Sequence, residues 1–398
     1  MIAVCLAPLY FLFHYYVIRR SLKWMHACHG FFGRKGFIIT YVSVYLFLTL
    51  TLPLGFFWSA DWPLKRGIMH ISNYWLGVCL YIILFTLVAD LIVKLLWKCK
   101  VIPNDLYHSR KAFAVTGGVI FLSITVMSIY GVVNAKIVRV NDYEVTVDKA
   151  CSAGDELNVV LVADLHLGYN MGTAQMRRMV DKVNQQDADI VVIAGDVFDN
   201  SYEALQDPEE LRNILMSMKS TYGTYCVYGN HDINEPILAG FTFGSSKPKV
   251  NDEEMTQYLE SMDITLLRDE TVLIDDAFYL IGRRDEERPG NEEQTRMSIE
   301  ALTADLDKTK PIIVIDHEPK ELQETADAGV DLDLNGHTHD GQVFPANLTS
   351  KLIWENSAGY LKKGNMHNIV TSGVGLFGPD MRTFTDAEIC SIKVNFNN

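Results

Sequence analysis

Histidine is scarce in this chain, eleven residues in 398, yet His337 and His339 stand one residue apart in LNGHTHDGQ. His166, His231 and His317 share their setting, each closing an apolar run: LNVVLVADLH, TYCVYGNHD and KPIIVIDHEP. A fifth run, ADIVVIAGDVFD, ends in Asp196 and Asp199. Short β-branched runs bounded by polar residues read as buried strands. Side chains placed just beyond such strands emerge together at one sheet edge, where α/β proteins bind ligands. Six histidines follow residue 134, and five of them occupy these strand ends. A lone loop histidine is ordinarily a satisfied polar residue; this joint placement points to a polydentate site.

Asp164, His166, Asp196, Asn230, His317, His337 and His339 form the candidate ligand set. Imidazole, carboxylate and amide donors without thiolate suit Mn, Fe or Zn. Seven protein groups exceed one ion's needs, whereas two ions sharing a carboxylate would use them all. Two divalent ions about 3.5–4 Å apart activate a shared water and clamp phosphate oxygens.

In order and spacing, DLH (164–166), GDVFD (195–199), GNHD (229–232), His317 and GHTH (336–339) resemble the calcineurin-like metallophosphoesterases. The resemblance covers about residues 157–394 and is closest to the bacterial membrane-associated branch, through GHTHDGQVFP and VTSGVGLFGP. It implies an α/β fold, a two-sheet αββα sandwich. It also implies that Asp164, His166 and His339 hold one divalent ion and Asn230, His317 and His337 the other, with Asp196 bridging. His231 would be the catalytic residue, stabilising charge or protonating the leaving oxygen, and Asp199 or Asp232 would orient it or its neighbours. The implied reaction is hydrolysis of a phosphodiester, pyrophosphate or phosphomonoester by a metal-bridging hydroxide. No Ser, Cys or Asp is placed as a nucleophile, so no phosphoenzyme is expected. Asp340 departs from the pattern, since related sequences often carry glycine there. Arg283, Arg284 and Arg288, in GRRDEERPG after a strand, are candidate ligands for a phosphate or head group; a solvated loop would read the same.

The elements that must position these groups alternate in type. Helical patterns cover Thr173–Gln186 and Pro208–Ser220, the latter with proline early and acids in its first turn. Further strands are expected at Thr271–Ile274, Phe278–Ile281, Ile369–Thr371 and Glu388–Val394. Residues 135–156 read as a linker and lead-in strand, KIVRVNDYEVTV, ahead of a catalytic domain at 157–398.

Residues 1–134 differ in kind. They hold 12 basic and 3 acidic residues of the chain's 35 and 49, which leaves 23 and 46 for the remainder. Nucleic acid is therefore not an expected partner of the acidic part. Four charge-free runs, Met1–Ile18, Phe37–Trp58, Ile71–Ala89 and Ala112–Val133, are each near the length of a membrane helix. They predict an all-α domain of four transmembrane helices, the first retained rather than cleaved because it lacks a basic leader. Basic residues cluster after the first and third runs, which places the catalytic domain outside the cytoplasm of an integral, multi-pass plasma (inner) membrane protein. The expected partners are membrane lipids and a phosphate-containing, lipid-linked substrate; nothing specifies an oligomeric state. The stretch ILAGFTFGSSK (237–247) is apolar enough to guide a lipid or simply to pack on the domain. The competing reading is a transmembrane sensor or transporter with a regulatory metal module. The scarcity of charged groups in the spans argues against transport, Asp90 reading as an interfacial acid beside Lys94. Seven cysteines show no metal spacing, and Cys151 and Cys390 are expected as buried thiols rather than a bridge.

Overall fold

The computed structural model describes residues 2–57, 64–234, 237–238, 241–242 and 249–397. Two compact units divide the chain: Met1–Val132 with Gly378–Asp380, and Val133–Phe377 with Met381–Asn398.

The first unit is helical: α1 (Ile2–Cys28), α2 (Lys35–Phe57), α3 (Lys65–Lys98), the short α4 (Asn104–Tyr107) and α5 (Arg110–Asn134). Among the described residues, three helical stretches are long and apolar enough to cross a membrane: Lys35–Gly55, Lys65–Lys98 and Arg110–Asn134. The expectation of four spans is thus met for three. The first run lies in α1, whose C-terminal half carries Arg19, Arg20 and Lys23. Asp90 pairs with Arg20 at 2.6 Å and accepts from the Tyr16 hydroxyl at 2.7 Å, so its cation comes from α1 rather than from Lys94. Helical spacing alone pointed to the wrong partner because α1 and α3 are distant in sequence.

The second unit holds two six-stranded mixed sheets. The first takes the order β1-β14-β2-β3-β4-β7, from β1 (Val138–Val147), β2 (Glu156–Val162), β3 (Ile190–Ala194), β4 (Thr224–Val227), β7 (Ile264–Leu266) and β14 (Ala387–Phe396). The second takes β12-β13-β11-β10-β9-β8, from β8 (Glu270–Ile274), β9 (Phe278–Gly282), β10 (Ile312–Ile315), β11 (Leu332–Asn335), β12 (Gly359–Lys363) and β13 (Met366–Val370). Strands β2, β3, β4 and β7 run parallel, as do β9, β10, β11 and β13, so their carboxyl ends share an edge. The segment expected as a linker and lead-in strand is itself the first sheet's edge strand, parallel to β14 from Val138↔Ala387 to Val147↔Phe396. The stretch 237–247 lies outside the described residues except for β5 (Ile237–Leu238) and β6 (Phe241–Thr242).

Strand alternation explains the layering, because odd and even residues face opposite ways. Leu157, Val159 and Leu161 of β2 meet Ile313 and Ile315 of β10 and Leu332 and Leu334 of β11 between the sheets. Val160 and Val162 face outward, with Met176 and Met179 of α6 (Thr173–Val183), Leu211 and Ile214 of α7 (Pro208–Leu215) and Leu259 of α8 (Glu253–Glu260). Across the second sheet, Ile312 and Val314 pack with Ile299 and Leu302 of α9 (Ile299–Thr303) and Leu322 of α10 (Leu322–Asp327). Helices therefore cover both outer faces. Cys151 and Cys390 are free, buried thiols. His367 is structural, set between the Tyr360 hydroxyl at 3.0 Å and the Thr146 carbonyl at 2.9 Å.

One buried acid makes stability pH-dependent. Burial and the neighbouring Asp316 push the Asp333 carboxyl up to about 7 from 3.8. The folded state then binds more protons than the unfolded one between about pH 4 and 7, so stability falls as pH rises through that window. At 1.36 kcal/mol per unit the loss is on the order of 4 kcal/mol. Asp333→Asn removes it: the variant's melting advantage should be small at pH 4.5, in the lower part of that window, and largest at pH 8. Parallel pH slopes for the two proteins would contradict this assignment.

Candidate metal centre

The candidate ligands leave their strands in left-handed backbone. Asp164 (φ 53°), His166 (φ 45°), Asp196 (φ 52°), His337 (φ 71°) and His339 (φ 49°) are five of the seven. Asp and His tolerate this region better than most residues, and one such residue reverses the chain at once. Each costs about 1–3 kcal/mol, strain that persists where surrounding structure enforces it. Here the loops after β2 and β3 hold one another, with the amides of Asp164 and His166 donating to the carbonyls of Gly195 and Asp196, both at 3.0 Å. Glycine is required where a second loop closes over them. At Gly373 (φ 75°) a Cβ would lie 2.6 Å from that of Asp164.

The side chains converge in two groups. Asp164, His166 and His339 present ligand atoms within 4.8 Å of one another, and so do Asp196, His317 and His337. In the first group His166 Nε2 lies 3.0 Å from His339 Nε2, which is 3.6 Å from Asp164 Oδ1. In the second, Asn230 Oδ1 stands 3.2 Å from His317 Nε2 and 3.1 Å from His337 Nδ1, with the two ring nitrogens 3.1 Å apart. Asp196 Oδ2 reaches both, at 3.7 Å from His166 Nε2 and 3.2 Å from His317 Nε2. All seven predicted ligands are thus brought together, with Asp196 between the groups.

The electrostatics fit cations. Burial pushes the imidazoles of His166 and His337 down to about 3, leaving their lone pairs available at neutral pH. Burial alone would raise the Asp196 carboxyl, but His317 and His231 hold it well below the usual range. Asp196 and Asp164 in turn outweigh burial at His317 and raise its imidazole. A site that favours positive charge on His317 favours a divalent ion, whose binding releases that proton. The facing nitrogens of His166 and His339 share at most one hydrogen bond, whereas a cation takes both lone pairs. The donor set therefore fits metal ions.

The surroundings differ in part from expectation. The His231 amide donates to Asp196 Oδ1 at 2.8 Å, and its ring Nδ1 meets Asn200 Oδ1. Asn200, one residue beyond GDVFD, is thus the direct partner of His231. Asp232 instead accepts from the amides of Gly229 at 2.7 Å and Phe198 at 2.8 Å, bracing two of the loops. Asp199 stands 3.9 Å from His166 Nδ1, its carboxyl pushed up to about 7 by burial and Asp196. Glu318, buried beside His317, lies 3.6 Å from His337 Nε2 and pairs with Lys320 at 2.6 Å.

Arg283 and Arg284 are engaged elsewhere. Arg283 is 1% exposed, bonding Asp316 at 3.0 Å and Glu321 at 2.8 Å. Arg284 donates to the Pro289 carbonyl at 2.7 Å and lies 3.8 Å from Asp269. Carboxylates and a carbonyl thus take up donors that the sequence left open for a phosphate, because the strand end lies next to acid-rich loops. The buried arginine nearest the ligands is Arg382, which donates to the Ser372 and Gly375 carbonyls at 2.7 and 2.8 Å and sits 3.2 Å from His339 Nδ1. Phe377 packs 4.5 Å from the His231 ring, its backbone held by Gln342 through two 2.9 Å bonds. Their segments, GHTHDGQ and GVGLFGP, were visible in sequence; their pairing was not.

Residues 157–341 match the family model for calcineurin-like phosphoesterases, and the chain carries a calcineurin-like metallophosphoesterase domain. A Helicobacter pylori protein described as an uncharacterized metallophosphoesterase is 29% identical over 247 residues, 60% of each chain. A Danio rerio protein named transmembrane protein with metallophosphoesterase domain is 31% identical over 293 residues, 69% of this chain and 62% of that one. The chain spans about 60% of the length of these relatives.

Proposed function

We propose that the protein is a membrane-anchored, two-metal phosphoesterase that hydrolyses a phosphodiester or pyrophosphate bond of a lipid-linked envelope substrate, its catalytic domain outside the cytoplasm. The observation that carries the reading is the placement of Asp196 Oδ2 between two separate donor groups. Asp164, His166 and His339 would hold one divalent ion, and Asn230, His317 and His337 the other, with Asp196 shared. When bound, such ions supply an activated water and neutralise phosphate charge.

The chain's own residues supply the rest. Asn200 accepts from Nδ1–H of His231 and orients the ring; donation to the leaving oxygen would come from Nε2–H of the imidazolium, a form that burial opposes and Asp196 favours. Phe377 packs against one side of that ring. Asp199, 3.9 Å from Nδ1 of His166, and Glu318, 3.6 Å from Nε2 of His337, would steer two ligand rings by charge, both distances being too long for a hydrogen bond. The fourth span, in the first part of α1, and an outward catalytic domain are supported by the basic residues that follow the first and third apolar runs.

Purified protein loaded with Mn²⁺ is expected to hydrolyse bis(p-nitrophenyl) phosphate, and extracted envelope lipids in a second screen. A C-terminal reporter is expected to be active only outside the cytoplasm. No turnover on a broad phosphate panel under any metal loading would reject the enzymatic reading; a cytoplasmic signal would reject the orientation.

A further inference from the structure

Helix α11 (Ala346–Ile353, ANLTSKLI) is built inside out for an aqueous surface. Its polar residues Asn347 and Ser350 are 8% and 7% exposed, whereas Leu348, Leu352 and Ile353 are 54%, 86% and 73% exposed. Asn347 Oδ1 and Ser350 Oγ are buried without a hydrogen-bond partner. In water a half-turn of this helix would hydrate both groups and bury the leucines, so the outward face is not shaped for water. A neighbouring residue repeats the pattern. Phe384 is 59% exposed and held at φ 61°, a conformation bulky side chains rarely adopt, with its ring 5.6 Å from Phe344. Exposed Lys351 stands next to Leu352, and helices with aliphatic and basic residues side by side lie in the head-group layer of bilayers.

We propose that α11 and Phe384 form a lipid-facing surface, with Leu348, Leu352 and Ile353 immersed at the boundary of head groups and acyl chains. The inference rests on the reading that α2, α3 and α5 cross a membrane. Those spans tether a bilayer to the same chain, and a tethered surface engages a patch too small to bind vesicles alone. Because α11 begins seven positions after His339, this contact would hold the GHTH loop at the lipid surface. A substrate with an apolar tail would then reach the metal ligands from the bilayer rather than from solution.

Photo-crosslinking in the full chain tests this. Benzoylphenylalanine is placed singly at position 352, at 122 on α5, or at 216 on the catalytic unit. The protein is then reconstituted in vesicles of phosphatidylethanolamine and phosphatidylglycerol and irradiated. Lipid adducts are expected at 122 and 352, each at least about tenfold above 216. Adducts at 122 but not at 352 would overturn the inference and leave the membrane reading intact. Chain-to-chain adducts at 352 would assign the face to a second copy and also overturn it. No adduct at 122 would reject the membrane reading and the inference with it. A variant carrying Leu348→Ser and Leu352→Ser supplies the functional arm. It should lose at least about fivefold in hydrolysis of vesicle-embedded phosphodiester while keeping wild-type turnover of bis(p-nitrophenyl) phosphate. Equal turnover of the vesicle substrate by variant and wild type would overturn the proposal.

Discussion

Asp196→Asn is expected to reduce hydrolysis of bis(p-nitrophenyl) phosphate by at least about a thousandfold and to lower metal content from two ions per chain to one or none. Asp196 is the side chain within reach of both donor groups, 3.7 Å from His166 and 3.2 Å from His317. An amide keeps the shape but loses the charge that attracts two cations into a buried site. It also offers a single acceptor oxygen: if Oδ1 continues to receive the His231 amide, a nitrogen faces the ligands, and if it flips, that bond is lost. Two measurements separate chemistry from folding. Elemental analysis counts the ions, and melting with added Mn²⁺ reads their linkage to stability. Wild type should gain about 2.7 kcal/mol for each bound ion at a hundredfold excess over the dissociation constant, whereas the variant should gain far less. A variant with two ions and wild-type turnover would remove Asp196 from the bridging position.

His231→Ala is expected to lower kcat by about 10²- to 10⁴-fold on alkyl phosphodiesters with both ions retained. The ring offers a nitrogen within 4.8 Å of ligand atoms of His166 and Asp199, but its hydrogen bonds are to Asn200 and, through its amide, to Asp196. The alanine amide preserves the second of these. Because the proposed role is proton donation, the loss should shrink when the leaving group needs no proton, as p-nitrophenolate does not. Asn200→Ala should act in the same direction with a smaller effect, since it frees the orientation of the ring but leaves the ring. Equal losses on both leaving-group types would move His231 from proton donation to charge stabilisation. Loss of metal from His231→Ala would make the residue structural instead.

The two parts of the site differ in how far they could be read in advance. The seven ligand candidates were legible because each follows an apolar run, and a parallel strand delivers its next residues to a common edge whatever the rest of the fold does. The three apolar helices were legible for a similar reason: chain length and the cost of charge in lipid are local properties. Residues that act across the sandwich were not. Asp199 and Asp232, expected to orient His231 or its neighbours, stand beside His166 and the Gly229 and Phe198 amides, whereas the contact of Asn200 with His231 is set by two adjacent loops rather than one motif. Arg283 and Arg284 looked available in a polar loop, but the turn after β10 supplies Asp316 and the following segment Glu321, which take up Arg283.

By itself, then, the sequence determined the chemistry: which donors exist, that they suit divalent ions, and that the first third carries helices long and apolar enough to cross a membrane. Those conclusions depend on composition and on periods of two and 3.6 residues, which short stretches carry on their own. Only the tertiary structure decided which loop meets which. It set Asp196 between the two groups, packed Phe377 against His231, and turned the leucines of α11 outward. Such contacts join residues far apart in sequence through packing of whole sheets and helices, and no local pattern encodes the distance between them.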